Sequence, residues 1–325
     1  MELKRARNAE LVAVCSRDKA CAQGFADEFG VAGAYGSYAE MLARDDIDIV
    51  YIASPNFLHA EHALICFSAG KNVVCEKPMA RSVMETKRMI DAAEATDLLL
   101  MEGLWMRFFP AYKKVMEWIR EGRIGRPLYL DAHFGIAVPG SASDPEDNAW
   151  LAWRKDVSGG GGALSDLGLY CVALSWDVMG GLPDEIQTVV QRYNGGTGTD
   201  RQNAIIFRHG DSLSHLSSSF VSRRPTCASI YGELGSIVLG QHFWQPDTAE
   251  LRINRGDPFS DESADKFTDE YVDEAHEGFR YEIEAVSGYV LEGRRQAPEM
   301  TWEDSMQLAR VMEAVREKWG MPTAL

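Results

Sequence analysis

Residues 47–78 read IDIVYIASPNFLHAEHALICFSAGKNVVCEKP. The run Ile47–Ala53 is rich in β-branched residues. Helical spacing follows over Leu58–Ala69 and closes at Gly70, and the apolar run Asn72–Cys75 comes next. Apolar strands separated by a helix of about ten or more residues are typical of a βαβ unit, in which the strands are parallel and covered on both faces. This stretch therefore predicts a parallel sheet flanked by helices.

The same alternation continues on both sides of this unit. Leu11–Cys15 before it and Leu98–Met101 after it have the composition of short buried strands, and Ser82–Ala95 has helical spacing. Strands that alternate with helices in this way predict an α/β domain of the Rossmann type. We expect this nucleotide-binding domain to cover residues 1–103.

After Gly103 the pattern changes to longer strands in which apolar and polar residues alternate, with one helix before them, one helix between them and one helix at the end of the chain. The predicted strands are Leu128–Ala137, Glu185–Tyr193, Asn203–Arg208, Ser212–Phe220, Cys227–Tyr231 and Ile237–Leu239, and the predicted helices are Phe108–Glu121, Ala163–Val178 and Glu303–Lys318. Alternation of this kind predicts a large, open and mostly antiparallel sheet with one face exposed or used as an interface. We expect an α+β domain over residues 104–325 that binds substrate and mediates oligomerisation, with its last helix packing back on the first domain.

Composition and charge exclude several classes of protein. The formal net charge of the 325 residues is −16, which argues against a nucleic-acid partner because phosphates would be repelled. No stretch is long and apolar enough to cross a bilayer, and the six cysteines form no CxxC pair, so we predict no membrane partner and no metal site. A cytosolic protein with reduced thiols fits this composition. The acidic segment Asp257–Glu284 is interpreted as a solvated loop and helix face.

The first segment with candidate chemistry is Ser54-Pro55-Asn56-Phe57-Leu58-His59, directly after a predicted strand. Ligands bind at the carboxyl ends of the strands in open α/β sheets, so Ser54, Asn56 and His59 are candidate cofactor-binding residues. The structural alternative is that Pro55 ends the strand and Asn56 caps the next helix.

The second segment is Cys75-Glu76-Lys77-Pro78, at the end of the next strand. A lysine in this position, restricted by the following proline, places a positive charge near the nucleotide crevice. Such a charge lowers the pKa of a neighbouring hydroxyl, which makes Lys77 a candidate catalytic residue. The alternative is a surface lysine in a tight turn.

The third segment is GGGGALSDLGLY, residues 159–170. The four glycines allow the backbone to approach a ligand or another strand closely. Asp166 and Tyr170 are four residues apart and share one face of the predicted helix. A phenol has an ordinary pKa of about 10, and a nearby ammonium such as Lys77 would favour the phenolate and make Tyr170 a usable acid or base. Tyr170 could equally be a core residue with a bonded hydroxyl.

These three segments, in this order and on a two-domain plan, resemble the Gfo/Idh/MocA family of NAD(P)-dependent oxidoreductases. Position 170 holds tyrosine where many members have histidine, and the run LMEGLWMRFFP at 100–110 is similar to the branch of dimeric dihydrodiol and NADP-dependent D-xylose dehydrogenases. The resemblance implies that Lys77 and Tyr170 flank the reacting carbon, with Asp166 nearby. It also implies that Trp153 and Arg154 lie close to the cofactor and that the Lys77–Pro78 peptide bond is cis.

The cofactor preference is predicted from the end of the second strand of the family pattern, which here reads Val14-Cys15-Ser16-Arg17. An acid at this point grips the ribose hydroxyls of NAD, whereas a hydroxyl and a guanidinium suit a 2′-phosphate. We therefore predict NADP, with NAD as the alternative because Asp18 follows. The predicted cofactor-binding residues are Ser16, Arg17, Ser54, Asn56, His59, Glu76, Lys77, Trp153 and Arg154.

The family pattern opens with a strand in the middle of the sheet and a GxGxxG turn that binds the pyrophosphate, and this chain shows neither. Relative to a normal βαβ unit, roughly twenty residues are absent.

The sequence thus predicts an enzyme that transfers a hydride between NADP and a sugar or cyclic diol, with Tyr170 as the acid or base assisted by Lys77. We also expect a homodimer or larger homo-oligomer. The alternative is a non-catalytic sugar- or nucleotide-sensing member without the phosphate-binding turn.

Overall fold

The N-terminal part of the chain alternates strands and helices, as the sequence predicts. The computed structural model describes residues 6–139, 157, 159–254, 261–268 and 278–321. The elements of the first part are β1 (Ala13–Cys15), α1 (Lys19–Phe29), β2 (Gly33–Tyr35), α2 (Tyr38–Leu42), β3 (Ile49–Ile52), α3 (His59–Ser68), β4 (Asn72–Glu76), α4 (Val83–Thr96) and β5 (Leu100–Gly103).

The five strands are all parallel but form two sheets, β1–β2 and β3–β4–β5. Among the described residues, no strand hydrogen-bonds to both β1 and β3. The Rossmann-type fold is therefore confirmed as a sheet in two pieces, and the break lies where the family pattern places its opening strand.

The strands β4 and β5 are buried because their side chains are apolar on both faces. Val73, Val74 and Cys75 of β4 are at most 1% exposed. A strand covered on both sides cannot alternate apolar with polar residues, and this explains the continuous runs in the sequence. The register of β3 with β4 pairs Ile52 with Cys75, so the residues that follow these two strands emerge at the same edge of the sheet.

The C-terminal part contains one large sheet and the remaining helices. Its elements are α5 (Pro110–Arg120), β6 (Pro127–Gly135), α6 (Leu169–Met179), β7 (Glu185–Arg192), β8 (Asp200–His209), β9 (Ser212–Ser219), β10 (Ala228–Gly232), β11 (Gly235–Leu239), β12 (Thr248–Asn254), β13 (Asp261–Thr268), α7 (Phe279–Leu291) and α8 (Trp302–Lys318).

The eight strands are ordered β13-β12-β11-β10-β6-β9-β8-β7. All neighbours in this sheet are antiparallel except β6 and β9, which are parallel. The predicted large, mostly antiparallel sheet is confirmed. Alternate residues of β6, such as Leu130 and Ala132, are fully buried in the core, whereas the opposite face, which we call the outer face, is half-buried or exposed.

Two predicted elements differ from the structure. The helix predicted over Ala163–Val178 begins as a π-type turn, Leu164–Gly168, before α6. At this point the backbone runs so close to β9 that a Cβ on Gly168 would lie 2.9 Å from Ser218 Oγ, and π turns of this kind occur often at functional sites. The acidic segment predicted as a loop and helix face contains strand β13, because its backbone pairs with β12 at the edge of the sheet; residues 255–260 and 269–277 lie outside the described residues.

The last helix connects the two parts of the chain. Its first turn is held by a capping box between Thr301 and Asp304, and Trp302 Nε1 donates a hydrogen bond to the carbonyl of Leu100 in β5 at 3.0 Å. The predicted division after Gly103 stays a prediction. Within the described ranges, none of the helices has the length and apolar character needed to span a membrane.

Candidate active site

A small cavity lies where the ends of β3 and β4 meet the glycine-rich segment. Its volume is about 160 Å³, close to that of an engineered cavity of about 150 Å³ that binds benzene. The lining residues come from both parts of the chain: Ser54, Asn56, His59, Glu76, Lys77, Pro78, Gly161, Gly162, Ser165 and Asp166. All three segments that the sequence singles out therefore contribute to one cavity.

Lys77 is the charged centre of this cavity. It follows β4, and its peptide bond to Pro78 is cis, as predicted. The Nζ atom donates to the carbonyl of Asp166 at 2.7 Å and lies 3.1 Å from Asp166 Oδ1. Only 12% of the Lys77 side chain is exposed, so its ammonium interacts mainly with these partners.

Tyr170 lies on the first turn of α6 against the same ammonium. Lys77 Nζ is 4.9 Å from the centroid of the Tyr170 ring, and the Tyr170 hydroxyl accepts a hydrogen bond from Trp105 Nε1 at 2.9 Å. The Trp105 ring is itself fixed by stacking on Phe279, with centroids 4.1 Å apart. The phenol is therefore held in place by a donor to its oxygen and a cation beside its ring.

Burial and charge oppose each other in setting the pKa of Tyr170. Burial raises this pKa to about 12, while the charge of Lys77 and the hydrogen bond from Trp105 lower it. For Lys77, burial opposes the charged form, but the neighbouring Tyr170, Asp166 and Glu76 outweigh burial, so the pKa of its ammonium is raised. At neutral pH the pair is thus a neutral phenol beside an ammonium. The sequence predicted the direction of the Lys77 effect, but burial of the ring exceeds it.

The residues that follow β3 bind mainly to protein atoms. His59 Nε2 lies 2.7 Å from the carbonyl of Ser54, and its Nδ1 lies 3.0 Å from the carbonyl of Pro78. Burial lowers the pKa of His59, although both carbonyls favour its protonated form. The Ser54 hydroxyl is 2.9 Å from His62 Nδ1. Through His59, the segment that follows β3 is joined to the segment that follows β4, and this fixes one side of the cavity.

Asn56 has one amide atom in use and one without a partner. Its Nδ2 donates to the carbonyl of Gly160 at 2.9 Å, whereas its buried Oδ1 has no hydrogen-bond partner. A buried acceptor without a donor is costly unless a ligand or water supplies one. Asn56 Oδ1 is therefore a candidate acceptor for an N–H or O–H group in the cavity.

Glu76 lies beside Lys77 and is fixed by its neighbours. Its Oε2 accepts from the backbone N–H of Lys77 at 3.2 Å, and its Oε1 accepts from the Tyr51 hydroxyl at 2.8 Å. The Tyr51 hydroxyl also lies 3.4 Å from Oε1 of Glu282 in α7. The strand end is thus connected to the second part of the chain through a tyrosine bonded to two carboxylates.

The glycine run is shaped by Asp200, which the sequence reasoning missed. Gly162 has a φ of +114° and would place a Cβ 2.0 Å from Asp200 Oδ1, so only glycine fits there. Asp200 Oδ2 accepts from the backbone N–H of Leu164 and from Asn203 Nδ2, both at 2.8 Å. Burial raises the pKa of Asp200 to about 6. No local pattern in the sequence indicates this contact, because Asp200 opens a strand that pairs elsewhere.

Ser16 and Arg17, which the sequence also predicts as cofactor-binding residues, are not among the described residues that line the cavity. Ser16 is half-buried and Arg17 is exposed, both just beyond β1. Asp18, which left NAD open as the cofactor, accepts from the backbone N–H of Ala20 at 2.8 Å and caps α1. Trp153 and Arg154 lie outside the described residues.

Together, the fold and the cavity are those of an NAD(P)-dependent oxidoreductase. Residues 2–104 match the model of an oxidoreductase family with an NAD-binding Rossmann fold, and residues 112–238 match the GFO/IDH/MocA C-terminal domain. The chain belongs to the Gfo/Idh/MocA family of oxidoreductases, as the sequence predicts.

Individual relatives agree with this assignment. The chain is 32% identical to a trans-1,2-dihydrobenzene-1,2-diol dehydrogenase of Danio rerio over 97% of this chain and 90% of the relative. A 3-ketoreductase from Actinomadura kijaniata, solved with NADP and TDP-benzene, is 26% identical with a TM-score of 0.79, over 97% of this chain and 91% of that one. A levoglucosan dehydrogenase solved with NADH and levoglucosan has the same fold, with a TM-score of 0.83 at 21% identity, over 96% of this chain and 88% of that one.

Proposed function

We propose that this protein is an NADP-dependent dehydrogenase that transfers a hydride between the nicotinamide and a hydroxyl-bearing carbon of a sugar or cyclic diol. The observation that carries the proposal is the convergence of Lys77 Nζ, the Tyr170 ring and the Asp166 carboxylate beside one cavity at the carboxyl edge of a parallel sheet. That edge is where nucleotides bind in this class of fold.

The residues of the cavity fit a nicotinamide. The volume suits one ring, and Asn56 Oδ1 is an acceptor without a donor. Ser54, Asn56, His59, Glu76 and Lys77 would hold the group, and the bound cofactor supplies or takes up the hydride. Ser16 and Arg17 lie at the end of a separate strand, a position that suits the adenosine ribose and its 2′-phosphate.

Tyr170 handles the proton that accompanies the hydride. When an alcohol is oxidised, the hydride would leave the carbon for the bound cofactor, the hydroxyl proton would pass to Tyr170 in its phenolate form, and the C–O bond would become a carbonyl. With a pKa of about 12, the phenolate is the minor form of Tyr170 at neutral pH, and its share grows as the pH rises. In the reverse direction the phenol donates its proton to the carbonyl oxygen. Lys77 stabilises the phenolate, and the Asp166 carboxylate keeps Lys77 charged and orients substrate hydroxyls.

The substrate class is supported by the relatives. Several are trans-1,2-dihydrobenzene-1,2-diol dehydrogenases, and the reductase at 26% identity acts on a ketone. A sugar and a cyclic diol share adjacent hydroxyls on a ring, and the Asp166 carboxylate, which lines the cavity, would accept hydrogen bonds from them. We further propose a cytosolic location, since all six cysteines are free thiols in the structure.

The test is Tyr170→Phe, which keeps the ring and removes the proton. Turnover should fall by about 100- to 10,000-fold, the usual contribution of general acid–base catalysis, while the protein stays folded. A deuteride isotope effect shows whether hydride transfer limits the rate. The control is Tyr112→Phe, which removes a buried hydroxyl that donates to Asp177 away from the cavity. It should lower stability but retain turnover per folded molecule. If Tyr170→Phe keeps more than about a tenth of turnover with chemistry limiting, the assignment is wrong.

A second candidate function is a non-catalytic sensor of a sugar or nucleotide. The sequence leaves this alternative open, and the observation that bears on it is that the described parallel strands of the first part form two sheets and not one. Calorimetry with NADP and candidate diols separates the two functions, because a sensor binds its ligand but produces no NADPH from it.

A further inference from the structure

Three metal-ligating side chains converge on the outer face of the large sheet, away from the cavity. Strands β6 and β9 are parallel, and their register places Asp131 beside His215 and His133 beside Ser217. Asp131 and His133 are two residues apart on β6, so their side chains point to the same face. Phe134, the next residue on β6, points to the core. The three side chains on the outer face are partly accessible: Asp131 is 38% exposed, His133 19% and His215 37%.

Both imidazoles point at one carboxylate oxygen. His133 Nε2 lies 2.8 Å and His215 Nδ1 lies 3.0 Å from Asp131 Oδ1, and the two rings are 5.0 Å apart in an edge-on arrangement. The ligand atoms of all three residues lie within 4.8 Å of one another. A zinc ion binds nitrogen and oxygen ligands at about 2.0–2.2 Å, so small side-chain shifts bring all three into coordination range.

A serine and an arginine hold the far side of the His133 ring. His133 Nδ1 is 2.8 Å from Ser217 Oγ, which also accepts a hydrogen bond from Arg224 Nη1 at 3.0 Å. Histidines that bind metals usually donate their second N–H to a fixed acceptor. The Ser217 oxygen can accept from Arg224 and from His133 Nδ1–H together, and this leaves His133 Nε2 free for a metal.

We propose that Asp131, His133 and His215 bind one divalent transition-metal ion of the zinc class, with water in the remaining coordination positions. Two imidazoles and one carboxylate form a ligand set typical of zinc and its neighbours, and poor for magnesium or calcium. The site joins β6 to β9 in the middle of the sheet, so the ion stabilises the fold and takes no part in hydride transfer.

The test is metal binding by the full-length protein after treatment with a chelator. Titration with Zn²⁺ in a calorimeter should give one ion per chain, and Co²⁺ should give the visible absorption of a low-symmetry nitrogen–oxygen site. Asp131→Asn and His215→Asn should each reduce the association constant more than about tenfold, since loss of an outer-shell partner alone typically reduces it 10- to 100-fold. Ser217→Ala should weaken binding while the Co²⁺ spectrum is retained.

Two control variants keep the test specific. His242 contacts Trp244, which stacks on Phe134 on the opposite face of the sheet, so His242→Gln should bind Zn²⁺ as the wild type does. Asp166→Asn removes the carboxylate that lines the cavity and should also bind Zn²⁺ as the wild type does, which shows that the ion is not held in the cavity. Melting temperatures without metal show whether each variant is folded. Added Zn²⁺ should raise the melting temperature of the wild type and of the two control variants, but not that of Asp131→Asn or His215→Asn. Zn²⁺ binding that is absent, or unchanged in both Asp131→Asn and His215→Asn, would overturn the proposal.

Discussion

Lys77 Nζ lies 4.9 Å from the centroid of the Tyr170 ring, at the junction of the parallel sheet and the glycine-rich segment. Burial raises the pKa of Tyr170 to about 12, and Lys77 is the largest influence in the opposite direction. The ease with which Tyr170 exchanges its proton therefore depends on the charge of Lys77 more than on any other side chain.

Lys77→Met should shift the basic limb of the pH–rate profile for alcohol oxidation to higher pH. The phenolate loses its nearest positive charge, so the pKa of Tyr170 rises further and less phenolate is present at a given pH. Lys77→Arg, which keeps the charge, should shift the profile less. Lys113→Met serves as the control, because Lys113 lies 5.7 Å from the Phe108 ring centroid and pairs with Glu299 outside the cavity. An unchanged profile in Lys77→Met would contradict the electrostatic role.

Arg17→Ala should reduce the affinity for NADP and leave the affinity for NAD unchanged. A hydrogen bond to a charged group contributes about 1.5–3 kcal/mol, which corresponds to about tenfold or more in the dissociation constant. Specificity constants for both cofactors measure the effect. The prediction is wrong if the wild type prefers NAD and Arg17→Ala does not change that preference.

Asp200 should make the free energy of unfolding fall as the pH rises from about 4 to about 6. Its pKa is raised by burial to about 6 in the folded protein from 3.8, so its stabilising protonated form is lost as pH rises through this window. One pKa unit corresponds to about 1.4 kcal/mol, and the wild type should therefore lose about 3 kcal/mol relative to Asp200→Asn. Urea unfolding at several pH values measures the slope. The control is Asp211→Asn at an exposed position, which should keep the pH dependence of the wild type. Equal slopes of unfolding free energy against pH in the wild type and in Asp200→Asn would refute the assignment.

Val189→Asp should convert an assembled form of the protein to monomers. Val189 is 75% exposed on β7, and Ile206 and Tyr231 are 44% and 45% exposed on the same outer face, where a second copy would cover them. Sedimentation velocity on both proteins tests this. Leu291→Asp is the control, since Leu291 is 81% exposed on α7. A wild type that sediments as a monomer at micromolar concentration would contradict the expected homodimer.

The candidate site shows how far local patterns reach. The runs that end at Ile52 and Glu76 are buried strands because of their own apolar composition, and parallel strands place their carboxyl ends at one edge. The sequence therefore located Lys77 and the Ser54–His59 segment at that edge. It did not reveal the π turn before α6, since that turn depends on how closely Gly168 approaches β9.

The contacts of Asp200 and Tyr51 were also beyond sequence reasoning. Asp200 reaches Leu164, which is 36 residues away, and Tyr51 lies near Glu282, which is 231 residues away. Residue spacing carries no information about contacts over such distances, because they depend on how complete elements pack.

The sequence by itself determined the Rossmann-type alternation, the large and mostly antiparallel sheet and the family, because periodicity and short motifs are properties of neighbouring residues. Only the tertiary structure decided that burial outweighs Lys77 in setting the pKa of Tyr170, since desolvation depends on everything packed around the ring. Only the parallel pairing of β6 with β9 brought His215 to Asp131, 84 residues earlier in the chain. A strand's own pattern fixes which face each side chain occupies, but the choice of neighbouring strand and its register is made by the folded sheet as a whole.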